Sequence, residues 1–173
     1  MSEKNIIKKF LKGEVQFKNF DKYYADLAKN HQNNLTKPRE SLGKLEKYAI
    51  WMAGWHKKKK PTMKNFQCLV FVGNHGVAKK NVSAYPPEVT EQMVKNFENG
   101  GAAINQLCNL SNTSLSVIPI ELEKPTKDFS EEKAMNYSET FYAMNLGYNS
   151  VPKKCDLLIL GEMGISNTTS ATA

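Results

Sequence analysis

Hydrophobic residues in the first third of the chain recur at helical spacing. Apolar and aromatic side chains follow this spacing over residues 21–30 and again over residues 41–55. A polar stretch with Pro38 separates the two, because proline disfavours helical backbone in the residue before it. The pattern predicts two amphipathic helices, the second capped by Ser41, in a helical N-terminal segment over residues 1–60 that forms part of a small domain.

The pattern changes after residue 60, where three short and almost unbroken apolar runs are typical of strands buried on both faces of a parallel sheet. The runs are residues 67–73, 114–120 and 155–161. Helical spacing fills the stretches between them, residues 86–110 and 130–147, and Gly100 and Gly101 allow either a break or close packing within the first stretch. The alternation predicts an α/β fold, a Rossmann-like parallel sheet with flanking helices over residues 61–173.

Composition narrows the class of protein. The chain has 173 residues with 40% hydrophobic and 24% charged content, which favours a folded domain over a disordered chain. The first residues hold no apolar run of signal-peptide length, and nowhere do about 18 uncharged apolar residues follow one another. Cys68, Cys108 and Cys155 are far apart in apolar surroundings, which favours core positions over a disulfide framework or a zinc site. We therefore predict a cytoplasmic protein without a metal ion and without a membrane partner.

The formal net charge of +7 raises the question of a nucleic-acid partner. A run of four lysines, residues 57–60, lies between a predicted helix and a predicted strand, where a solvated loop is expected. No interleaved aromatic residues or recognition motif accompany the run. The pattern therefore favours an exposed connector over a nucleic-acid surface.

The segment after the third strand, GEMGISNTTSATA, has the chemistry of a phosphate site. Gly161 and Gly164 permit tight turns, and Ser166, Asn167 and Thr168 supply hydroxyl and amide groups near a helix start. The alternative is that the three polar residues only cap a helix. Glu162 would repel a phosphate, so it is expected to serve a ribose hydroxyl or a base N–H, or else to lie in solvent.

The loop after the first strand offers a second candidate. Asn74 and His75 lie between two glycines, and for His75 a structural hydrogen bond is favoured over a catalytic role, because no nucleophile stands at an obvious turn. Tyr85, Pro86 and Met93 follow. They form either an apolar wall for a flat aromatic ligand or part of the core.

Three stretches of the chain resemble a known family in order and spacing. They are LTKPRESLGKLE, FVGNHGVAKKNVSAYPPEVTEQMVKNFENGGAAINQL and LLILGEMGISNTTSATA. They are similar to segments of nicotinate-nucleotide–dimethylbenzimidazole phosphoribosyltransferases, and the similarity runs from about Leu35 to Ala173. The resemblance implies an inverting transfer from nicotinate mononucleotide to 5,6-dimethylbenzimidazole, which gives α-ribazole 5′-phosphate and nicotinate in cobalamin lower-ligand synthesis. It implies a homodimer and no cofactor.

The resemblance also assigns roles to residues. The phosphate and ribose segment is expected to comprise Gly161, Glu162, Gly164, Ile165, Ser166, Asn167 and Thr168. The base is expected to contact Tyr85, Pro86, Met93 and Met163. Glu162 is expected to face the reacting centre, which makes it the one possible catalytic residue of this chain.

Departures from the family pattern limit what is carried over. Arg39 and Glu40 stand where the family usually has Pro-Gly, Asn74 stands where many members have Asp, and Tyr85 replaces a smaller residue of some members. The family's general base is a glutamate in a C-terminal half. Residues 61–173 are accordingly expected to be the first half of a truncated nucleotide-binding domain, inactive alone. The alternative function is a non-catalytic nucleotide- or phosphate-binding module.

Overall fold

The structure, a computed structural model, describes the backbone of residues 3–173 and the side chains of residues 7–173. Its helices are α1 Glu3–Leu11, α2 Lys22–Asn33, α3 Lys44–His56, α4 Val89–Glu98, α5 Ala103–Leu110, α6 Tyr137–Ser150 and α7 Asn167–Thr172. Its strands are β1 Phe66–Val72, β2 Ser114–Pro119 and β3 Leu157–Met163, and a 3₁₀ turn covers Gly76–Lys80. The chain forms two compact units, one over residues 9–63 and one that holds residues 64–173 with the start of α1.

Helices α2 and α3 form the smaller unit. Asp21 caps α2 by accepting a hydrogen bond from the Tyr23 N–H at 3.1 Å. The predicted Ser41 cap of α3 is wrong: the helix begins after Gly43, whose φ of +54° suits glycine, and Ser41 lies in the preceding turn. Glu46 in the first turn of α3 instead accepts the Leu42 N–H at 3.2 Å.

A part-buried ion pair holds the turn before α3 in place. The Lys37 ammonium lies 2.6 Å from a carboxylate oxygen of Glu46, and both side chains are largely shielded from solvent. The hydrogen bond from Lys37 lowers the pKa of the Glu46 carboxyl, because it favours the charged form. The four lysines that follow α3 are exposed.

The larger unit is built on a parallel sheet with the strand order β2-β1-β3. This confirms the predicted α/β class, a parallel sheet with flanking helices preceded by helices near the N-terminus. The core lies where α4 and α5 cover the sheet. Its buried members are Cys68, Val70, Val72, Val94, Phe97, Ala102 and Cys108.

Burial separates the three strands and the three cysteines, which had similar sequence patterns. The expectation of burial on both faces holds for β1 but not for β2 and β3, whose residues are half-buried or exposed. Cys68 and Cys108 are buried as predicted, whereas Cys155 is only partly covered. Burial raises the pKa of the Cys68 thiol, which keeps it protonated and unreactive.

Two predicted helices are shorter than their sequence patterns. The stretch 86–110 divides into α4 and α5 at Gly100, whose φ is +74°. The stretch 130–147 becomes helical only from Tyr137, because Asn136 forms a reciprocal cap with Glu139. Asn136 Oδ1 accepts the Glu139 N–H at 3.0 Å, and the Glu139 carboxylate accepts the Asn136 N–H at 2.7 Å.

Candidate active site

An open cleft of about 350 Å³ lies at the carboxyl ends of β1 and β3. This is the edge at which open parallel sheets bind ligands. The lining residues are Phe71, Gly73, His75, Ile120, Glu162, Met163, Asn167, Ser170 and Ala171. The cleft therefore combines an apolar floor with a carboxylate, an imidazole and amide and hydroxyl groups.

Strand register brings the first and third strands together at this cleft. Phe71 pairs with Glu162 and Val72 with Met163, and the ladder continues through the Gly73 N–H, which donates to the Met163 carbonyl at 3.1 Å. Paired residues of neighbouring strands point to the same face of a sheet. Phe71 thus provides an apolar surface beside the Glu162 carboxylate.

The strand β3 extends two residues beyond its predicted end at Gly161. Glu162 and Met163 were expected in the loop and instead belong to the strand. The polar Glu162 interrupts the apolar pattern, yet hydrogen bonding with β1 continues to Met163. The Glu162 side chain consequently projects from backbone that the sheet holds in place, rather than from a free loop.

Gly164 allows the turn after β3 to touch the loop after β1. A Cβ atom at this position would overlap the carbonyl oxygen of Gly73 and would lie 3.6 Å from Nε2 of His75. The close approach of the two backbones requires glycine at residue 164. It also brings the His75 imidazole against the turn that follows Glu162.

Beyond Gly164 the chain is tied to helix α4. The Ile165 N–H donates to the Thr90 hydroxyl at 3.2 Å, and both residues are buried. Ser166 follows with φ +70°, the left-handed region, and is 5% exposed. Its hydroxyl has no hydrogen-bond partner among the residues that the structure describes. A buried hydroxyl without a partner is costly, and a ligand oxygen would satisfy it.

The polar residues after Ser166 partly cap α7. Asn167 lines the cleft, and its side-chain oxygen accepts the Thr168 N–H at 2.8 Å. The Asn167 N–H donates to the Gly164 carbonyl at 3.2 Å. Asn167 thus both shapes the turn and faces the cleft, so the capping and ligand-binding interpretations are compatible for this residue.

His75 is half-buried in the cleft, and its pKa is set by two opposing effects. Burial lowers the pKa, because the imidazolium loses hydration, and the negative charge of Glu162 raises it in part. The net direction is downward from the ordinary value of 6.5. His75 is therefore uncharged at neutral pH, and its pKa depends in part on the charge of Glu162.

Asn74 links the loop after β1 to the loop after β2. The side-chain NH₂ group of Asn74 donates to the Leu122 carbonyl at 3.0 Å, and the backbone carbonyl of Asn74 accepts the Thr126 N–H at 3.1 Å. An aspartate could accept but not donate, so the asparagine suits this structural contact. Gly76 packs against the backbone of residues 126–128, which further pins the loop.

A second cavity of about 300 Å³ adjoins the cleft and shares Gly73, His75 and Ile120 with it. The loop after β2 and helix α6 form its other walls. Its titratable side chains besides His75 are Glu121, Lys124, Lys127, Glu139 and Tyr142. His75 thus lies where the two cavities meet.

The structure brings together only part of the predicted site. Glu162, Met163 and Asn167 line the cleft. Ile165 and Ser166 are buried behind it, and the exposed Thr168 lies in the first turn of α7.

The two glycines of the predicted phosphate segment have different surroundings. A Cβ on Gly161 would lie 3.3 Å from the Val70 side chain, within the sheet, whereas Gly164 lies at the turn. Sequence reasoning missed four cleft residues: two come from strand ends, which only the shared sheet edge places there, and two lie on α7, three and four residues after Asn167 and so on the same helix face. They are Phe71, Ile120, Ser170 and Ala171.

The predicted base-binding residues are dispersed. Met93 packs against the core of α4 and β1, and Met163 both touches that core and lines the cleft. Tyr85 is 65% exposed and Pro86 is exposed as well. Among the described residues, therefore, Met163 is the member of this set that reaches the cleft.

Comparison with known proteins assigns the family. Residues 17–173 match the family model described as phosphoribosyltransferase. The chain belongs to the phosphoribosyltransferase family. The resemblance of the three sequence motifs is thereby confirmed.

Relatives within the phosphoribosyltransferase family are similar over most of this chain. A nicotinate-nucleotide–dimethylbenzimidazole phosphoribosyltransferase of a Jannaschia species is 53% identical over 146 residues, which cover 84% of this chain and 43% of the relative. One of Cereibacter sphaeroides is 47% identical over 149 residues, 86% of this chain and 44% of the relative. The chain spans less than half the length of these curated relatives.

A solved structure shares the fold. The nicotinate-nucleotide–dimethylbenzimidazole phosphoribosyltransferase of Thermus thermophilus matches with a TM-score of 0.82 at 32% identity, covering 87% of this chain and 52% of that one. The three-stranded sheet and its helices are therefore an arrangement that a solved phosphoribosyltransferase also contains. Within residues 3–173, no helix has the length and apolar character needed to cross a membrane.

Proposed function

We propose that the protein containing this chain transfers the phosphoribosyl group of nicotinate mononucleotide to 5,6-dimethylbenzimidazole. The products are α-ribazole 5′-phosphate, used for the lower ligand of cobalamin, and nicotinate. The observation that carries the proposal is the family match over residues 17–173 together with a cleft that holds Glu162 at the carboxyl end of β3. The names of the relatives supply the two substrates.

The proposed reaction does not need a general acid. The nicotinate leaving group departs from a pyridinium that is already cationic, so the C–N bond breaks without protonation of the ring. The remaining needs are an anchored phosphate, an aligned acceptor base and an acceptor for the benzimidazole proton. A cleft with an apolar floor and a few fixed polar groups suits the first two needs.

The segment from Gly161 to Thr168 is our proposed phosphate and ribose site. Ser166 supports this assignment, because its buried hydroxyl lacks a partner among the described residues and lies next to the cleft residue Asn167. Glu162 would serve a ribose hydroxyl or the base, since a carboxylate accepts hydrogen bonds and repels phosphate. Gly164 and Ile165 hold the turn in place through Gly73 and Thr90.

The acceptor base is proposed to lie against the apolar side of the site. Met163 supports this, because it lines the cleft beside Glu162. Tyr85, Pro86 and Met93 lie outside the cleft lining, and we propose that they contact the base from the segment between β1 and the end of α4, Met93 with the part of its side chain that does not pack against the core. The exposed ring of Tyr85 leaves an aromatic face free for stacking.

The proton acceptor is proposed to be a glutamate outside these 173 residues, so that this chain alone would not catalyse the transfer. The chain covers 43% of one relative and 44% of another, which leaves room for such a residue in the longer protein. We also propose that the whole protein is a cytoplasmic homodimer.

The test is a product assay on the full-length protein with both substrates, with α-ribazole 5′-phosphate and nicotinate quantified by mass spectrometry. Glu162→Gln is expected to lower kcat/KM by about 10²-fold, the usual scale for losing one fixed polar contact to a reacting centre. The matched control is Glu98→Gln, at the exposed end of α4. It should retain wild-type activity.

Three results would separate the possibilities. Product formation that depends on Glu162 supports the transferase. Binding of nicotinate mononucleotide without product, measured by calorimetry, would favour a nucleotide-binding module. If the protein neither binds nicotinate mononucleotide nor forms product, the proposal is overturned.

A further inference from the structure

His75 has no role in the proposed reaction so far, although it occupies a central place in the site. It lines both the cleft and the second cavity. Its Nε2 atom would be 3.6 Å from a Cβ at Gly164, so the imidazole packs on the turn directly after Glu162 and Met163. The imidazole is thus held between the two loops that frame the cleft.

The charges around His75 come from two sides. On the cleft side, Glu162 of β3 is the charged group that acts on the imidazole. On the side of the second cavity lie Glu121, Lys124, Lys127, Glu139 and Tyr142.

Most of the charges in the second cavity already have partners. Lys124 pairs with Glu121 at 2.8 Å and Lys127 with Glu132 at 2.7 Å. Glu139 accepts the Asn136 N–H at 2.7 Å. Of the charged groups that line the two cavities, the Glu162 carboxylate is the one that raises the pKa of His75, and burial outweighs it.

We propose that His75 is a positioning residue for Glu162. As an uncharged imidazole it leaves the Glu162 carboxylate free to accept a hydrogen bond from the bound nucleotide or base. As an imidazolium it pairs with that carboxylate and withdraws it from the substrate. The proposal rests on the phosphoribosyl transfer proposed above and adds a residue that controls when Glu162 is available.

The direction of the pH effect follows from the burial of His75. Burial lowers the pKa of His75 below its ordinary value of 6.5, and Glu162 offsets only part of that change. The imidazole is uncharged at neutral pH and takes up a proton as the pH falls through its lowered pKa. Activity should therefore be full near neutrality and should fall on the acid side as His75 becomes charged.

The pairing is tested first without catalysis. The three histidines of this chain, His31, His56 and His75, are followed by NMR through their imidazole C–H signals as the pH of the full-length protein is varied. His75→Asn identifies the signal of residue 75, and His56→Asn, in helix α3, serves as the control. In Glu162→Gln the pKa of His75 should fall further, because the substitution removes the group that raises it. An unchanged pKa would overturn the pairing.

The functional consequence is tested by pH profiles of kcat/KM for the wild type, His75→Asn and His75→Gln. The wild type should lose activity on the acid side through the titration of His75, whereas both variants should lack this component. Ionisation of the substrates affects all three proteins equally, so a difference between the profiles belongs to His75. Parallel profiles would show that His75 only supports the fold and would refute the proposal.

Failure of this inference can be told apart from failure of the proposed function. The NMR titration and the pH dependence of the Kd for nicotinate mononucleotide need no turnover. If no product forms but the Glu162→Gln substitution shifts the His75 titration, the transferase proposal fails while the pair stands. If product forms and the titration does not move, the transferase stands and the pair fails. Circular dichroism checks that each variant is folded.

Discussion

Strands β1 and β3 have similar apolar sequences, equal lengths and a continuous parallel register, yet they differ in burial. Leu69 of β1 is 2% exposed, whereas its register partner Leu160 of β3 is 66% exposed. The central strand has a neighbour on each edge, and its Cys68, Val70 and Val72 belong to the core formed with α4 and α5. An apolar run thus predicts a strand, but its neighbours decide the burial.

The two strands also differ in what they contribute: β1 mainly stabilises the fold, and β3 supplies side chains to the cleft. Strand β1 supplies fully buried side chains and ends in a loop that is pinned by hydrogen bonds to its neighbours. Strand β3 contributes Glu162 and Met163 to the cleft and continues into the turn at Gly164. We expect substitutions of the buried residues of β1 to act on folding and substitutions near the end of β3 to act on ligand binding.

The largest expected effect comes from the register pair itself. Leu69→Ala should lower the free energy of unfolding by about 2–5 kcal/mol, because it removes buried apolar area and leaves a cavity. Leu160→Ala, the same chemical change on the neighbouring strand, should cost less than about 1 kcal/mol, because its side chain is already in water. Urea unfolding of the full-length protein, monitored by circular dichroism, gives both values.

Equal losses for the two leucines would contradict this comparison. That result would mean that the exposed face of β3 is covered in the full-length protein by residues outside this chain. A large loss for Leu69 alone would establish β1 as the main stabilising strand.

Most of the sheet could be predicted from sequence, because three apolar runs separated by helical stretches leave few alternatives to a parallel α/β sheet. The end of β3 could not. A charged Glu162 closes the apolar pattern at Gly161, while pairing with Phe71 and Val72 continues the strand to Met163. Periodicity reports which side chains avoid water, but hydrogen bonding between backbones sets where a strand ends.

The candidate site was predictable where it depends on local chemistry and not where it depends on register. The glycines and polar residues after β3 mark the segment by themselves, and Glu162 and Asn167 do line the cleft. Phe71 and Ile120 come from apolar runs with no chemical signal, so only the alignment of strand ends places them there. Met93 carried both interpretations in the sequence, and the structure packs it against the core.

A smaller effect on stability, with a larger one on binding, is expected at the contact between the two strand ends. Gly164→Ala would drive a methyl group into the Gly73 carbonyl and against His75, so we expect a loss of about 1–3 kcal/mol in the free energy of unfolding. The displacement of the turn should also weaken the binding of nicotinate mononucleotide at least tenfold. Calorimetric titration and urea unfolding of the same samples give the two quantities.

Gly161→Ala is the matched control for this contact. Its added methyl group would lie 3.3 Å from the Val70 side chain, which can move by a few tenths of an ångström. We expect a smaller loss of stability and a smaller loss of affinity than for Gly164→Ala, because the added methyl group meets a side chain that can move rather than the backbone of Gly73. If Gly161→Ala weakens binding as much as Gly164→Ala does, the contact between Gly73 and Gly164 is not what shapes the site.

The smallest effect on stability is expected for substitutions at two residues with left-handed backbone, one in each compact unit. Ser166 has φ +70° and Glu40 has φ +60°. Glycine removes the steric cost of this backbone conformation, although the more flexible unfolded chain offsets part of the gain. Ser166→Gly and Glu40→Gly should each change the free energy of unfolding by no more than about 1 kcal/mol, in the stabilising direction.

The two substitutions should diverge in ligand binding. Ser166→Gly also deletes the buried hydroxyl that has no partner among the described residues, so the affinity for nicotinate mononucleotide should fall about tenfold, as expected for one lost hydrogen bond to a charged phosphate. Glu40→Gly should leave that affinity unchanged, because Glu40 belongs to the helical unit and does not line the cleft. Thermal unfolding with and without the nucleotide measures both effects. Undiminished affinity in Ser166→Gly would remove Ser166 from the phosphate site and leave its left-handed backbone with a purely structural role at the start of α7.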